Sequence, residues 1–528
     1  MSAIESLIFL LAAAALLTQL ARVLRVPYPV FLVLGGLAIG FVPGLPAVNI
    51  SPDVIFLVFL PPLLSAAAFF SSPRELREHL TPITLLAVGL VLFTTVLTAL
   101  GAHFLIGMPW AVAFVLGAIL SPTDPVVAEA VFRRLGVPGR VRVILEGESL
   151  VNDGTGLVAY RLAVAAVVTG AFSVWEAGLS FLLVGGGGLL LGLALGWVVL
   201  PLWARVRDPV IFIALSLLTA YAVYILAEEV LHVSGILAVV SYGLYRGWRD
   251  PRIFPDATTR LQNISFWQVL VFLLESMLFI LVGQQLPAII EGLGNYSVVQ
   301  VLSYAALVYA AVLGARMIWF FTTPYLLPVF DRLLRNRYLR SPWQERLVMG
   351  WSGMRGAISL AAALAVPTVV ADGSPFPDRE LVLFLTFAVI LLTLVLQGLT
   401  LKPLIDALRL EGEEQAHKLM ELEARLAGAH AALDRLKGLG DERVPQGARE
   451  RTREQYEERL RRYEAGIDAG GTTDEYAETS AAWRDWRREL IAAEREAVLS
   501  LRDRGEISPE VMRRVMRDLD LEESRIGG

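Results

Sequence analysis

The chain contains no cysteine among its 528 residues and only five histidines. Without cysteine there are no disulfides, thiolate metal sites or thiol nucleophiles. Charge is also scarce. Asp, Glu, Lys and Arg make up 18% of the residues, against roughly 25% in a soluble globular protein. No GxSxG motif and no intramembrane histidine cluster is present, so neither a serine-hydrolase site nor a metal triad can be assembled, and the chain is expected not to be an enzyme and to need no cofactor. With a net charge of −5, no nucleic-acid partner is expected.

Apolar sequence takes the place of what is missing. Hydrophobic residues make up 55% of the chain, and a bilayer core about 30 Å thick takes roughly 20 of them per spanning helix. Stretches of that kind recur at 3–21, 28–45, 53–71, 81–106, 110–132, 143–170, 176–204, 209–229, 232–247, 264–290, 297–328, 345–370 and 379–404. The expected fold is therefore an all-α polytopic membrane protein with about thirteen transmembrane helices in residues 1–404. The first stretch lacks the basic flank of a cleaved signal peptide and is expected to be retained as helix 1. Arginines fall in alternate loops, including Arg22, Arg74, Arg77, Arg140, Arg205, Arg246, Arg260 and Arg346. By the positive-inside rule these loops are cytoplasmic, which puts the N-terminus outside and the C-terminus inside. Residues 405–528 carry 29 of the 51 Asp and Glu and place leucines at helical spacing between charges, as in KLMELEARLAGAHAALDRLKGL. They are expected to form a cytoplasmic helical tail of two or three helices, broken at GLGDERVPQG and AGGTTDE, with a coiled coil as the alternative to a solvated helical appendage.

Ionisable groups at membrane depth are expensive and normally face a partner, an ion or water. In AFVLGAILSPTDPVVAEAV, Pro122 and Pro125 flank Thr123 and Asp124, and two prolines three residues apart should unwind the helix there. In LEGESLVNDGTGLV, Ser149, Asn152 and Asp153 stand at i, i+3 and i+4 on one helical face, with Glu148 on an adjoining stripe. A hydroxyl, an amide carbonyl and a carboxylate are oxygen ligands suited to a hard cation such as Na⁺, and Asp153 is the expected centre. Burial favours the protonated carboxyl and a bound cation favours the ionised one, so one carboxylate can trade H⁺ for a metal cation. In VMGWSGMRGAISLAAALAVP, Arg355 sits between Gly353 and Gly356, where the helix is weakened. It needs a buried partner, and Glu148 is the expected one, because an arginine on Asp153 would compete with the cation.

Other polar groups have less specific readings. Glu275 and Arg316 are intramembrane and could pair with each other or line a path. Arg161 has no assigned partner. The run GGGGLLLGLALG suggests close helix packing rather than a phosphate loop. His79, His103 and His232 sit at helix margins, where solvated side chains are the simplest expectation.

Taken in order, SPTDPVVAEAVF, LEGESLVNDGTGLV, GMRGAISLAAALAVP and LTLVLQGLTLKPL resemble the bacterial monovalent cation/proton antiporter family that includes the sodium/proton exchangers. The resemblance implies a core and a dimerisation domain, inverted repeats with crossing interrupted helices 5 and 12, a homodimer in the plasma membrane and alternating access. It also implies Asp153 as the essential carboxylate, with Asn152, Ser149, Thr123 and Asp124 around the ion and Glu148 with Arg355 as a structural ion pair. The Asn-Asp arrangement resembles the electroneutral branch of the family. One departure stands out: relatives often carry an acid in helix 3, where FLPPLLSAAAFF has Ser65, Ala66, Ala67 and Ala68. The function implied is exchange of Na⁺, Li⁺ or K⁺ for H⁺ in pH and sodium homeostasis. A K⁺/H⁺ antiporter is the nearest alternative and a cation channel a more distant one.

Overall fold

The computed structural model describes residues 3–24, 26–42, 55–171, 173–249, 257–294, 296–326, 342–410, 414–438, 445–468, 474–504, 506 and 508–526. Each of the thirteen apolar stretches is helical over most of its described residues. The expected stretches at 28–45, 53–71 and 297–328 each run partly outside the described residues, as do the arginine-rich loops around 250–256 and 327–341. Among the described residues, six helices are long and apolar enough to cross a membrane on length and composition alone: Leu80–Ile106, Val174–Trp203, Pro209–Val230, Ala257–Glu291, Val298–Thr323 and Arg379–Leu408. The only extended pairing among the described residues is an isolated bridge between Val369 and Pro375. It lies where the 345–370 stretch was expected to remain helical, but helix ends at Leu364. Arg379 caps that end, its Nε donating to Val366 O at 3.0 Å.

Small residues govern the packing. In the Val174–Trp203 helix, Gly185, Gly188, Gly192 and Gly196 are buried along one face at steps of three and four residues. That face meets Gly235–Arg249 so closely that a methyl added at Gly192 would lie 2.0 Å from Ala238 O. Side chains are absent where the two backbones touch, as in other lipid-embedded helix pairs. The same device joins Tyr28–Gly40 to Ala257–Gln284, where a methyl on Gly36 would meet Ile280 O at 2.2 Å.

The chain divides into a unit spanning Met1–Glu411 and a second spanning Gly412–Gly528. The boundary falls after the expected 404, because the last apolar helix continues to Leu408. Among its described residues the second unit has four helices, Glu414–Gly438, Gln446–Asp468, Asp474–Asp503 and Pro509–Ile526. That is one more than the two expected breaks allow, because one helix ends at Asp503 and the next begins at Pro509. Within this unit Arg495 forms ion pairs of 2.5 Å with both Asp520 and Glu523, beside buried Ile491 and Leu519.

Candidate functional site

Two helices are interrupted, and their breaks meet. The first runs Trp110–Leu120 and resumes at Val126–Leu135. The second runs Trp343–Trp351 and resumes at Ala357–Leu364. Pro122 and Pro125 explain the first interruption by removing amide donors and clashing with the carbonyls of the preceding turn; Ser121, just before Pro122, still has helical dihedrals (φ −73°, ψ −39°). The second contains no proline. It is held open from outside, where Thr393 Oγ1 accepts the Arg355 backbone N–H at 3.1 Å. Thr393 opens a π-helical turn, Thr393–Gln397, inside the last long helix. The breaks are joined directly: the Asp124 backbone N–H donates to Met354 O at 2.8 Å.

Each break exposes helix ends, with uncompensated N–H groups at one and C=O groups at the other. Side chains of the appropriate sign sit on them. Asp124 Oδ1 accepts the Val126 N–H at 3.0 Å at the start of Val126–Leu135. Its Oδ2 lies against Gly356, at the start of Ala357–Leu364, where an added methyl would be 1.9 Å away. One carboxylate therefore faces two helix N-termini, and glycine at 356 leaves room for it. At the opposite ends, Arg355 Nε donates to Leu120 O at 2.9 Å and its Nη1 to Gly353 O.

This corrects the expected ion pair. Arg355 does not hold Glu148. Arg316 does, through a buried bidentate contact of 2.5 and 2.9 Å, while its Nε donates to Met349 O at 3.2 Å at the end of Trp343–Trp351. The two arginines divide the work: Arg316 neutralises Glu148, and Arg355 is drawn to carbonyls freed by the crossing. The suggested contact between Glu275 and Arg316 is likewise replaced, since Glu275 Oε2 accepts the Tyr28 hydroxyl at 2.8 Å.

The remaining expected residues lie around the first break. Thr123 Oγ1 donates to Glu148 Oε1 at 3.0 Å. Asn152 Nδ2 donates to Thr123 Oγ1 at 2.9 Å and to Thr123 O at 3.2 Å. Asn152 therefore ties the long Gly139–Thr169 helix to the unwound strand, and its buried Oδ1 has no hydrogen-bond partner among the described residues. Thr123, Asp124, Ser149 and Asp153 line one cavity of about 650 Å³, together with Glu129, Glu146 and Glu275. Asp153 is 6% exposed and has no hydrogen-bond or ion-pair partner among the described residues. The cavity wall also includes Arg142. Eleven residues separate it from Asp153, a depth of about 16 Å at 1.5 Å per residue. Ala66 and Ala67, from the acid-free FLPPLLSAAAFF segment, form part of the wall.

Two further ion pairs were not anticipated. Arg161 pairs with Glu228, whose Oε2 also accepts the Gly235 N–H at 2.9 Å. Arg140 pairs with Glu345. Nothing local in the sequence marks these partners, which lie 67 and 205 residues apart. His103 stacks on Trp110 with ring centroids 3.9 Å apart, and its Nδ1 lies 2.7 Å from Met108 O, so it is held in place at the helix margin rather than free in solvent.

Two interrupted helices whose breaks meet beside a buried, unpartnered carboxylate are an arrangement suited to ion transport across a membrane. The sequence profile of the transmembrane sodium/hydrogen exchanger family matches residues 8–407, and the chain belongs to that family. It is a multi-pass membrane transporter and not an enzyme. It is 36% identical over 527 residues to an uncharacterised Na⁺/H⁺ exchanger of Mycobacterium tuberculosis, covering 98% of this chain and 95% of that one. It is 36% identical over 425 residues to a Na⁺/H⁺ antiporter of Aphanothece halophytica, covering 80% and 78% respectively. Its fold matches that of the sodium proton antiporter of Methanocaldococcus jannaschii with a TM-score of 0.63 at 23% identity, over 77% of this chain and 98% of that one.

Proposed function

We propose that the chain exchanges one monovalent cation, Na⁺ first among Na⁺, Li⁺ and K⁺, for one H⁺ across a bacterial plasma membrane, electroneutrally, in the service of pH and sodium homeostasis. The observation that carries this reading is Asp153, a buried carboxylate without a partner on the wall of a polar cavity, beside a backbone break. Protonated, it is neutral and tolerates burial. Ionised, it needs a cation. A site that holds either one moves no net charge when it trades them.

Ser149 and Asp124 supply further oxygen to the ion, while Thr123 and Asn152 hold the broken strand in register with Asp153. The Glu148–Arg316 pair stays neutral as a unit and serves as a strut. On the positive-inside reading Arg142 marks the cytoplasmic side, so the cavity is an inward-facing access path, and alternating access requires its closure and an opening on the other side. The named activity of the Aphanothece relative favours Na⁺, and the family resemblance favours a homodimer.

The test is proton flux in proteoliposomes loaded with a pH dye and pulsed with Na⁺, Li⁺ or K⁺, with membrane potential clamped or free. Cation-driven proton movement that ignores the potential and vanishes in Asp153→Ala is the expected result. Full activity in that variant would move the exchange site elsewhere, and a dependence on potential would rule out one-for-one exchange.

A further inference from the structure

One more intramembrane carboxylate on the same cavity, Glu275, is left unused by this scheme. Glu275 comes from Ala257–Gln284 and Tyr28 from Tyr28–Gly40, two helices in backbone contact at Gly36 and Ile280. That contact fixes the distance across which the Tyr28 hydroxyl reaches Glu275 Oε2. Both residues line the cavity together with Asp124, Asp153 and Ser359. A hydrogen bond donated by a neutral phenol supports an ionised carboxylate without cancelling its charge. Among the described residues no ion pair cancels it, and Arg316 is committed to Glu148. An ionised carboxylate at this point of the wall, beside a buried and unpartnered Asp153, would act on any cation in the cavity, because attraction between charges is weakly screened there.

We propose that Glu275, held in place by Tyr28, is a further, non-exchanging carboxylate of the cation site, beyond Asp153 and Asp124: it sets cation affinity and stays charged through the cycle, while Asp153 alone trades the proton. The proposal rests on the assignment of exchange to Asp153. Because Glu275 keeps its charge in both half-cycles, it leaves the one-for-one stoichiometry intact.

The test is cation-dependent proton flux in proteoliposomes, with half-saturating cation concentration and maximal rate read separately. In Glu275→Gln the half-saturating concentration should rise about tenfold, as expected for losing one weakly screened unit charge, with the maximal rate within about twofold of wild type and transport still indifferent to membrane potential. Glu275→Asp, which restores the charge, should recover most of the affinity, and Tyr28→Phe should show a smaller rise in the same direction. Unchanged half-saturation in folded Glu275→Gln would overturn the proposal. So would a new dependence on potential, which would make Glu275 an exchanging group. If Glu275→Gln does not fold, Tyr28→Phe decides: a raised half-saturating concentration supports the proposal and an unchanged one overturns it. Activity persisting in Asp153→Ala would defeat the underlying assignment instead, a result these Glu275 and Tyr28 readouts cannot mimic.

Discussion

At the scale of single residues, the structure turns on which arginine faces which carboxylate. Glu148 and Arg316 are each about 1% exposed, so removing either one strands the other in a low-dielectric site, at a cost on the order of 3–5 kcal/mol. Arg316→Ala should therefore give a large loss of folded yield and a clearly lower unfolding temperature in detergent. Replacing both partners, as in Glu148→Gln with Arg316→Met, should be milder than Arg316→Ala alone, a non-additivity that a thermal-shift series would reveal. Arg355→Ala should leave Glu148 paired. Its penalty falls on the Leu120 and Gly353 carbonyls, so transport should suffer more than stability, and a stability loss equal to that of Arg316→Ala would contradict the geometry. The acids and polar groups of this site were legible in the sequence because charge at membrane depth stands out against an apolar background. Their pairing was not. Arg316 lies 168 residues from Glu148, and no local spacing rule spans that distance, whereas Glu148 and Asn152 were linked by simple helical arithmetic.

At the scale of elements, the same contrast separates the two interruptions. Pro122 and Pro125 announce the first break on their own. The second depends on Gly353 and Gly356 plus a hydrogen bond from a distant π-helical turn, so its position was suggested by sequence but its cause was tertiary. The crossing works because Asp124 fits against Gly356 with no side chain between them. Gly356→Ala places a methyl where the carboxylate oxygen sits, and one partner must move. The helices should still form, since Gly356 lies outside Ala357–Leu364 as its extended N-cap residue, but the crossing should open. The expected result is near-normal expression and monodispersity with at least a tenfold loss of exchange, in line with the cost of ångström-scale displacement in a preorganised site. Normal flux in this variant would mean that the contact is dispensable. The helical content and approximate bounds of the apolar stretches followed from hydropathy alone. The early end at Leu364 did not, because hydropathy does not register Pro367, three residues on, which cannot continue a helix; Arg379 then reaches back to Val366 O.

At the scale of the whole molecule, the absence of cysteine becomes an experimental advantage, because any introduced thiol is unique. The cavity is about 16 Å deep from Arg142 to Asp153, and Ala67, an exposed wall residue, can carry a probe without touching the carboxylates. If the arginine-bearing loops are cytoplasmic, a membrane-impermeant maleimide should label Ala67→Cys readily from the cytoplasmic face in inverted vesicles and about tenfold more slowly from the outer face of right-side-out vesicles, since access there requires a rearranged minor state. Ala492→Cys, on an exposed position of the second unit, serves as the sidedness control and should react only in inverted vesicles. Labelling of Ala67→Cys from the outer face with Ala492→Cys protected would keep the topology but make the cavity outward-facing. Reversal of both would invert the chain in the membrane. Sodium should slow labelling at Ala67 in the wild-type background if the ion resides in this cavity, and it should lose that effect when Asp153→Asn is combined with Ala67→Cys, because a neutral side chain no longer retains the ion that shields the probe site.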